Sequence, residues 1–245
     1  MNIALIGHGN MGKEIEQIAP ARRMTVTKVF TSKNNSWGAG LTAESLKDVD
    51  VCIDFSVPEA TMNNVKAVAA CRKNIVVGTT GWYNQLKEIQ RIVKAGKIGL
   101  LYSPNFSLGM NIFLHILADA AEYFSSLPDY DVAIHEIHHR RKVDSPSGTA
   151  LALGNLILQH NLRKTEMLQE SPRKQIGEDQ LHVTSTRVGS IAGRHAVMFD
   201  SEADTIELIH TAKNRTGFAI GALLAAKWLR SRKGIFTMKD VVASL

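Results

Sequence analysis

Two adjacent histidines, His138 and His139, stand three residues ahead of Lys142, and a Pro146-Ser147-Gly148-Thr149 turn follows directly. Histidine suits proton transfer near neutrality, because its ordinary pKa is about 6.5. Lys142 ends the basic run Arg140-Arg141-Lys142, whose cations and partial burial would make its ammonium a readier proton donor. Ser147, Gly148 and Thr149 open a helical segment, so backbone N–H groups and a hydroxyl there can take a carboxylate. Proton donors, a fixed cation and an anion-binding turn thus share residues 136–150. The inventory suits chemistry on an anionic substrate. A pair of merely solvated edge-strand histidines would explain neither the lysine nor the turn.

Strand parity adds a detail. If Val132 and Ile134 face a core, Glu136 and His138 lie on their side and His135, Ile137 and His139 on the other. Glu136 is then placed to orient or charge-stabilise His138. His135, His138 and His139 do not converge on one ion from a strand, and no cysteine joins them, so no metal is expected. Asp54 and Asp144 read as strand-end or turn residues. His195 and His210 read as packing residues, and Trp82 and Trp228 as core.

A second constellation lies near the start. Gly7-His8-Gly9-Asn10-Met11-Gly12 follows a strand-like run and opens a helical one. Glycines at that spacing permit a tight turn and bring free N–H groups to a pyrophosphate. About 20 positions on, a carboxylate usually grips the adenosine ribose. Here the chain reads Phe30-Thr31-Ser32-Lys33-Asn34, with no acid to repel a 2′-phosphate. Thr31, Ser32 and Lys33 can donate to it instead, so NADPH is expected over NADH.

The elements around these motifs alternate. Residues 3–6, 25–30, 49–55, 75–77 and 98–102 read as strands, and 10–19, 58–72 and 82–94 as helices. That pattern predicts an α/β fold with a Rossmann-type parallel sheet. After residue 107 come a helix at 111–123, a strand at 130–139 and a helix at 148–160. An exposed loop is predicted at 163–180, then strands near 181–188, 195–201 and 205–211. These predict an α+β domain with an open mixed sheet. Helices at 219–230 and 238–243 close the chain. The expected domains are 1–107 with 216–245 for the dinucleotide, and 108–215 for the substrate and for oligomerisation.

With 44% hydrophobic and 21% charged residues, the composition is that of an ordinary globular protein. No apolar run reaches the roughly 18 residues of a membrane span, and residues 1–7 do not resemble a signal peptide. Only Cys52 and Cys71 occur, which argues against a disulfide framework; a cytoplasmic location is expected. The net charge of +6 is scattered in short clusters, so nucleic acid is not an expected partner. A basic field drawing in phosphate-rich cofactors and carboxylates accounts for it.

The chain resembles the 4-hydroxy-tetrahydrodipicolinate reductase (dihydrodipicolinate reductase) family over nearly its whole length. The resemblance is carried by Gly7–Gly12, Asp54-Phe55-Ser56, Gly78-Thr79-Thr80-Gly81, Asn105-Phe106-Ser107, the 136–150 segment, and Phe218-Ala219 with Gly221-Ala222. It implies an NADPH- or NADH-dependent reductase of bacterial lysine and diaminopimelate synthesis, assembled as a homotetramer. It also implies that Gly78, Thr79, Thr80, Ser103, Pro104, Asn105 and Phe106 line the nicotinamide side of the cofactor. By the same resemblance His138 and Lys142 are catalytic, His139, Gly148 and Thr149 hold the dicarboxylate beside Ser147, and Arg215 lies at a hinge. Three features depart from the family pattern: the short phosphate turn, the missing acid near Thr31, and Arg194 where a glutamate usually precedes His195. Two other readings remain open: another two-domain nicotinamide reductase of an amino-acid-derived imine, and a non-catalytic NADPH sensor.

Overall fold

The computed structural model describes residues 1–160, 163–169 and 172–245. The chain divides into two compact units, Met1–Asn111 with Arg215–Leu245, and Ile112–Asn214. In the first, β1 (Asn2–Ile6), β2 (Thr25–Phe30), β3 (Val51–Asp54), β4 (Asn74–Val77) and β5 (Gly99–Tyr102) join the strand Gly234–Thr237 in one sheet. Its order is Gly234–Thr237, β5, β4, β3, β1, β2, and every pairing is parallel. The chain crosses from β2 over β1 to β3, so the crevice beyond the ends of β1 and β3 is the switch point where such sheets bind ligands.

Alternate residues of each strand serve two cores. Ile3, Leu5, Val51 and Ile53 pack with Ile15 of α1 (Asn10–Ile18) and with Ala222 and Ala226 of the helix Thr216–Leu229. Ala4, Ile6 and Cys52 point the other way, onto Val65 and Val68 of α2 (Pro58–Ala70) and Ile89 and Val93 of α3 (Leu86–Gly96). Covering both faces is why these strands read as unbroken apolar runs.

The second unit begins within α4 (Leu108–Ser125), whose first residues belong to the first unit. Its sheet comprises β6 (Asp131–His138), β7 (Glu166–Leu168), β8 (Gln180–Arg187), β9 (Gly193–Asp200) and β10 (Thr205–Ala212), in the order β10, β9, β6, β8, β7. β9 runs antiparallel to β6 and β10, whereas β6, β7 and β8 are parallel. The expected mixed sheet is present. One face buries Val132, Ile134, Val183, Val197 and Phe199, and α5 (Gly148–His160) packs on β6 and β8 with Leu153 and Ile157 buried. The Lys164 ammonium, also buried, staples three points by binding the carbonyls of Glu178 and Gln180 at 2.8 and 2.9 Å and the Asp131 carboxylate at 2.5 Å.

Three expectations are corrected. The segment 163–180 is not all loop: Glu166–Leu168 forms an edge strand, too short for alternation to reveal it. Of that segment, residues 170 and 171 lie outside the described residues. Gly234–Thr237, read as part of no element, is the other edge strand that sequence missed. The helix expected from residue 82 begins at Leu86, because Trp82 is fully buried with its indole N–H on the Thr79 carbonyl at 2.7 Å. Among the described residues no helix is long and apolar enough to cross a membrane.

Candidate active site

In the first unit the loops after β1, β2, β3 and β4 meet at the switch point. Gly7 sits at φ +90°, and a Cβ there would lie 2.2 Å from the Phe55 carbonyl oxygen, so only glycine fits the turn. Gly9 precedes α1 with extended backbone and offers no side-chain cap, which leaves first-turn N–H groups for a ligand. A cavity of about 550 Å³ is lined by Gly7, His8, Gly9, Thr31, Ser32, Asn35, Trp37, Val57 and Asn64, among others. A neighbouring one, lined by Gly9, Asn10, Met11, Gly78, Thr79 and Thr80, shares Phe55 and Ser56 with it. These residues fit a dinucleotide: free N–H groups at the helix start, with open space on both sides.

Some expected residues do not line this space, and others line it while engaged in contacts of their own. Gly12 is buried behind the turn, and the His8 imidazole turns to Glu16 at 2.7 Å. Thr31 is engaged locally: its N–H binds the Asn34 side-chain oxygen at 2.6 Å, and its hydroxyl accepts the Lys33 N–H at 3.3 Å. Lys33 is not among the lining residues of either cavity. Ser103, Pro104, Asn105 and Phe106 do not line these cavities either. Phe106 is a core residue edge-on to Phe55, and the Asn105 side-chain oxygen takes the Ser107 N–H at 2.8 Å. Asp54, the last residue of β3, holds the floor. Burial pushes its carboxyl upward against the pull of hydrogen bonds from Ser56, Asn64 and Thr79.

In the second unit, β6 keeps the expected parity up to its last residue. Glu136 and His138 lie with Val132 and Ile134 on the buried side, and Glu136 Oε2 meets His138 Nδ1. Register then adds groups from other strands. Glu136 pairs with His195 of β9, and His138 with Arg187 of β8. The Arg187 guanidinium donates to Glu136 Oε1 at 2.7 Å and to the Asp144 carbonyl at 2.6 Å. The His195 and His138 rings meet edge-on at 5.2 Å. A Cβ on Gly193 would fall 2.9 Å from His138 Nε2, so glycine leaves that nitrogen its room.

Each partner favours the other's charge, yet burial of the imidazole keeps the pair from settling as an ion pair. Burial raises the Glu136 carboxyl, but hydrogen bonds from Arg187 and His138 outweigh it, and the net direction is down. For His138, burial lowers the imidazole and Glu136 only partly offsets it. At neutral pH this leaves an anionic Glu136 accepting Nδ1–H from a neutral His138. Burial, followed by the charge of His138, pushes His195 down to about 4. Glu136, His138 and His195 come within 4.8 Å of one another, the spacing of a metal trio. Both Glu136 oxygens are taken, one by a guanidinium, so this is a hydrogen-bonded group.

Around it, the expected substrate residues divide. Ser147 is buried: its hydroxyl accepts the Ala150 N–H at 3.2 Å, lies 3.3 Å from His195 Nε2, and its own N–H donates to Glu136 Oε1. It therefore acts as the cap of α5, while Gly148 is exposed with open space at its Cβ position. The His139 Nδ1 is buried without a partner. Lys142, expected among cations, instead holds both oxygens of Asp144 at 2.7 and 2.9 Å. That hydrogen bond is the main reason the Asp144 carboxyl lies below its usual range. Sequence reading missed Arg187 and gave His195 only a packing role. Their position follows from strand register, which one sequence does not state.

A parallel dinucleotide-type sheet joined to a mixed sheet carrying buried imidazole and carboxylate groups defines the class: two-unit α/β oxidoreductases. Family models described as "Dihydrodipicolinate reductase, N-terminus" and "Dihydrodipicolinate reductase, C-terminus" match residues 1–106 and 109–242. The chain therefore belongs to the dihydrodipicolinate reductase family, a family of nicotinamide-dependent reductases, as its motifs had implied. Relatives named 4-hydroxy-tetrahydrodipicolinate reductase include one from Christiangramia forsetii, 40% identical over 100% of this chain and 99% of its own. Another, from Zymomonas mobilis, is 39% identical over 99% and 97%. The fold matches a dipicolinate-bound dihydrodipicolinate reductase from a Paenisporosarcina species, at TM-score 0.79 and 21% identity over 98% of both chains. It also matches an amine dehydrogenase from Mycobacterium smegmatis, at TM-score 0.60 and 10% identity over 98% and 95%.

Proposed function

We propose that this protein reduces 4-hydroxy-tetrahydrodipicolinate to tetrahydrodipicolinate with loss of water, in lysine and diaminopimelate synthesis. The observation that carries the reading is the buried Glu136–His138 pair, whose histidine stands four residues before Lys142 and close in sequence to the exposed start of α5. One hydride and one proton enter the substrate and one water leaves. The cofactor, when bound, supplies the hydride. Gly7, Gly9, Asn10 and Met11 would hold its pyrophosphate, and Thr79 and Thr80 its nicotinamide side. Lys142, His139 and the N–H groups of Gly148 and Thr149 hold the carboxylates. His138 takes a proton on Nε2, becomes an imidazolium stabilised by Glu136, and gives that proton to the ring. A cytoplasmic location and a homotetramer belong to the same reading.

The decisive assay uses freshly generated 4-hydroxy-tetrahydrodipicolinate with NADPH and NADH in turn, followed at the nicotinamide absorbance. Oxidation dependent on the diacid is expected. Cofactor binding without turnover would favour a sensor, and turnover only on other imines a different reductase. With no acid near Thr31, kcat/KM is expected to be several-fold higher for NADPH. A several-fold preference for NADH would reverse that assignment.

A further inference from the structure

Trp37 holds a backbone conformation its residue type disfavours. It sits at φ 52° and ψ 34°, where the Cβ of a bulky residue crowds its neighbours, and its side chain is 62% exposed. The other two tryptophans are accounted for by packing. Trp82 is fully buried, and Trp228 lies edge-on to Phe236 with the Arg232 guanidinium over its ring. Among the described residues, Trp37 belongs to neither of the two core clusters.

What it gains is position. The indole lines the 550 Å³ cavity beside the phosphate turn, and Val57, itself 53% exposed, lines the same space. The loop that carries it is anchored rather than loose. Asn35 donates to Asn64 at 3.1 Å, Asn64 donates to Asp54 at 3.0 Å, and the Asn35 oxygen accepts the Gly40 N–H at 3.1 Å. An exposed apolar pair facing one cavity, on a fixed loop, calls for a flat and uncharged occupant. The group joined to a pyrophosphate that answers this is adenine, since every base has a π-face to stack.

We propose that Trp37 and Val57 form the two walls of the adenine seat, with the base stacked on the indole. This rests on reading Gly7–Gly12 as the pyrophosphate turn. It explains why a strained, exposed tryptophan stands in a loop that sequence patterns left unassigned.

The test uses the full chain and the fragment 2′,5′-ADP, which carries adenine and no nicotinamide. Titration is followed by tryptophan emission and by calorimetry, and then repeated with NADPH. In the wild type, 2′,5′-ADP should change the emission of the exposed tryptophan. Trp37→Ala should weaken both ligands about tenfold, and Trp37→Phe within about threefold of wild type, as loss and retention of one stacked base predict. A ligand-free thermal midpoint for Trp37→Ala close to that of the wild type is expected and separates loss of the seat from loss of the fold. Wild-type affinity in Trp37→Ala would overturn the adenine seat alone. A wild-type chain that binds neither ligand would overturn the pyrophosphate reading and the seat with it.

Discussion

His138→Ala is expected to lower kcat by about 10²- to 10⁴-fold, the range a positioned general acid supplies. The cofactor Kd should stay within a factor of about two, since the imidazole belongs to the second unit and the Gly7–Gly12 turn, proposed to hold the pyrophosphate, to the first. Lys142→Ala is expected to cost as much in kcat/KM, divided between a higher KM and a lower kcat because the ammonium is proposed to hold a substrate carboxylate as well. The two are told apart by pH. An imidazolium donor makes kcat fall as pH rises through the pKa of His138. Glu136 is what opposes burial and keeps that pKa from falling further. Glu136→Gln should therefore move the alkaline limb to lower pH and reduce turnover at pH 7. His138→Ala should abolish the limb. Near-wild-type kcat in His138→Ala would end its assignment as donor, and a limb that does not move in Glu136→Gln would leave Glu136 with no part in the proton step.

The second large effect is on stability. Arg187→Ala leaves the fully buried Glu136 carboxylate without its cation, which costs about 3–5 kcal/mol when one partner of a buried pair is removed. The sign with pH follows from Glu136. In the native protein its carboxyl is held low, so its contribution is present above the ordinary value of 4.5 and is lost as pH falls into the depressed range. Without Arg187, burial is less opposed and the carboxyl protonates at higher pH. The gap between wild type and variant should thus be widest near neutrality and narrow as pH falls through 4.5. Adding Glu136→Gln to Arg187→Ala should restore part of the loss by removing the stranded charge. Urea denaturation at pH 7 and at pH 4–5 reads both. A loss below about 1 kcal/mol at pH 7 would show that water reaches Glu136.

Much of this architecture was legible in the chain because its signals are local. The run from Ile3 to Ile6, the glycines after it and the helix at Asn10 lie within eighteen residues. The alternation Val132, Ile134, Glu136, His138 stated its own parity. What stayed hidden is non-local or short. Arg187 and His195 reach Glu136 through the register of β8 and β9 against β6, about 50 to 60 residues downstream of it. Glu166–Leu168 and Gly234–Thr237 are edge strands of three and four residues, below the length at which a period can be counted. Trp37 escaped because its signal is a backbone angle, which composition does not carry.

The clasp between Lys142 and Asp144 has a consequence for selectivity. The ammonium already carries a carboxylate before any diacid arrives, so docking there swaps one anion for another at the ammonium while the displaced Asp144 stays tethered nearby. Affinity at that point then measures the difference between a tethered acid and a visiting one. Added salt should blunt it less than it would a bare cation, and what discriminates among visitors is reach to a second anchor.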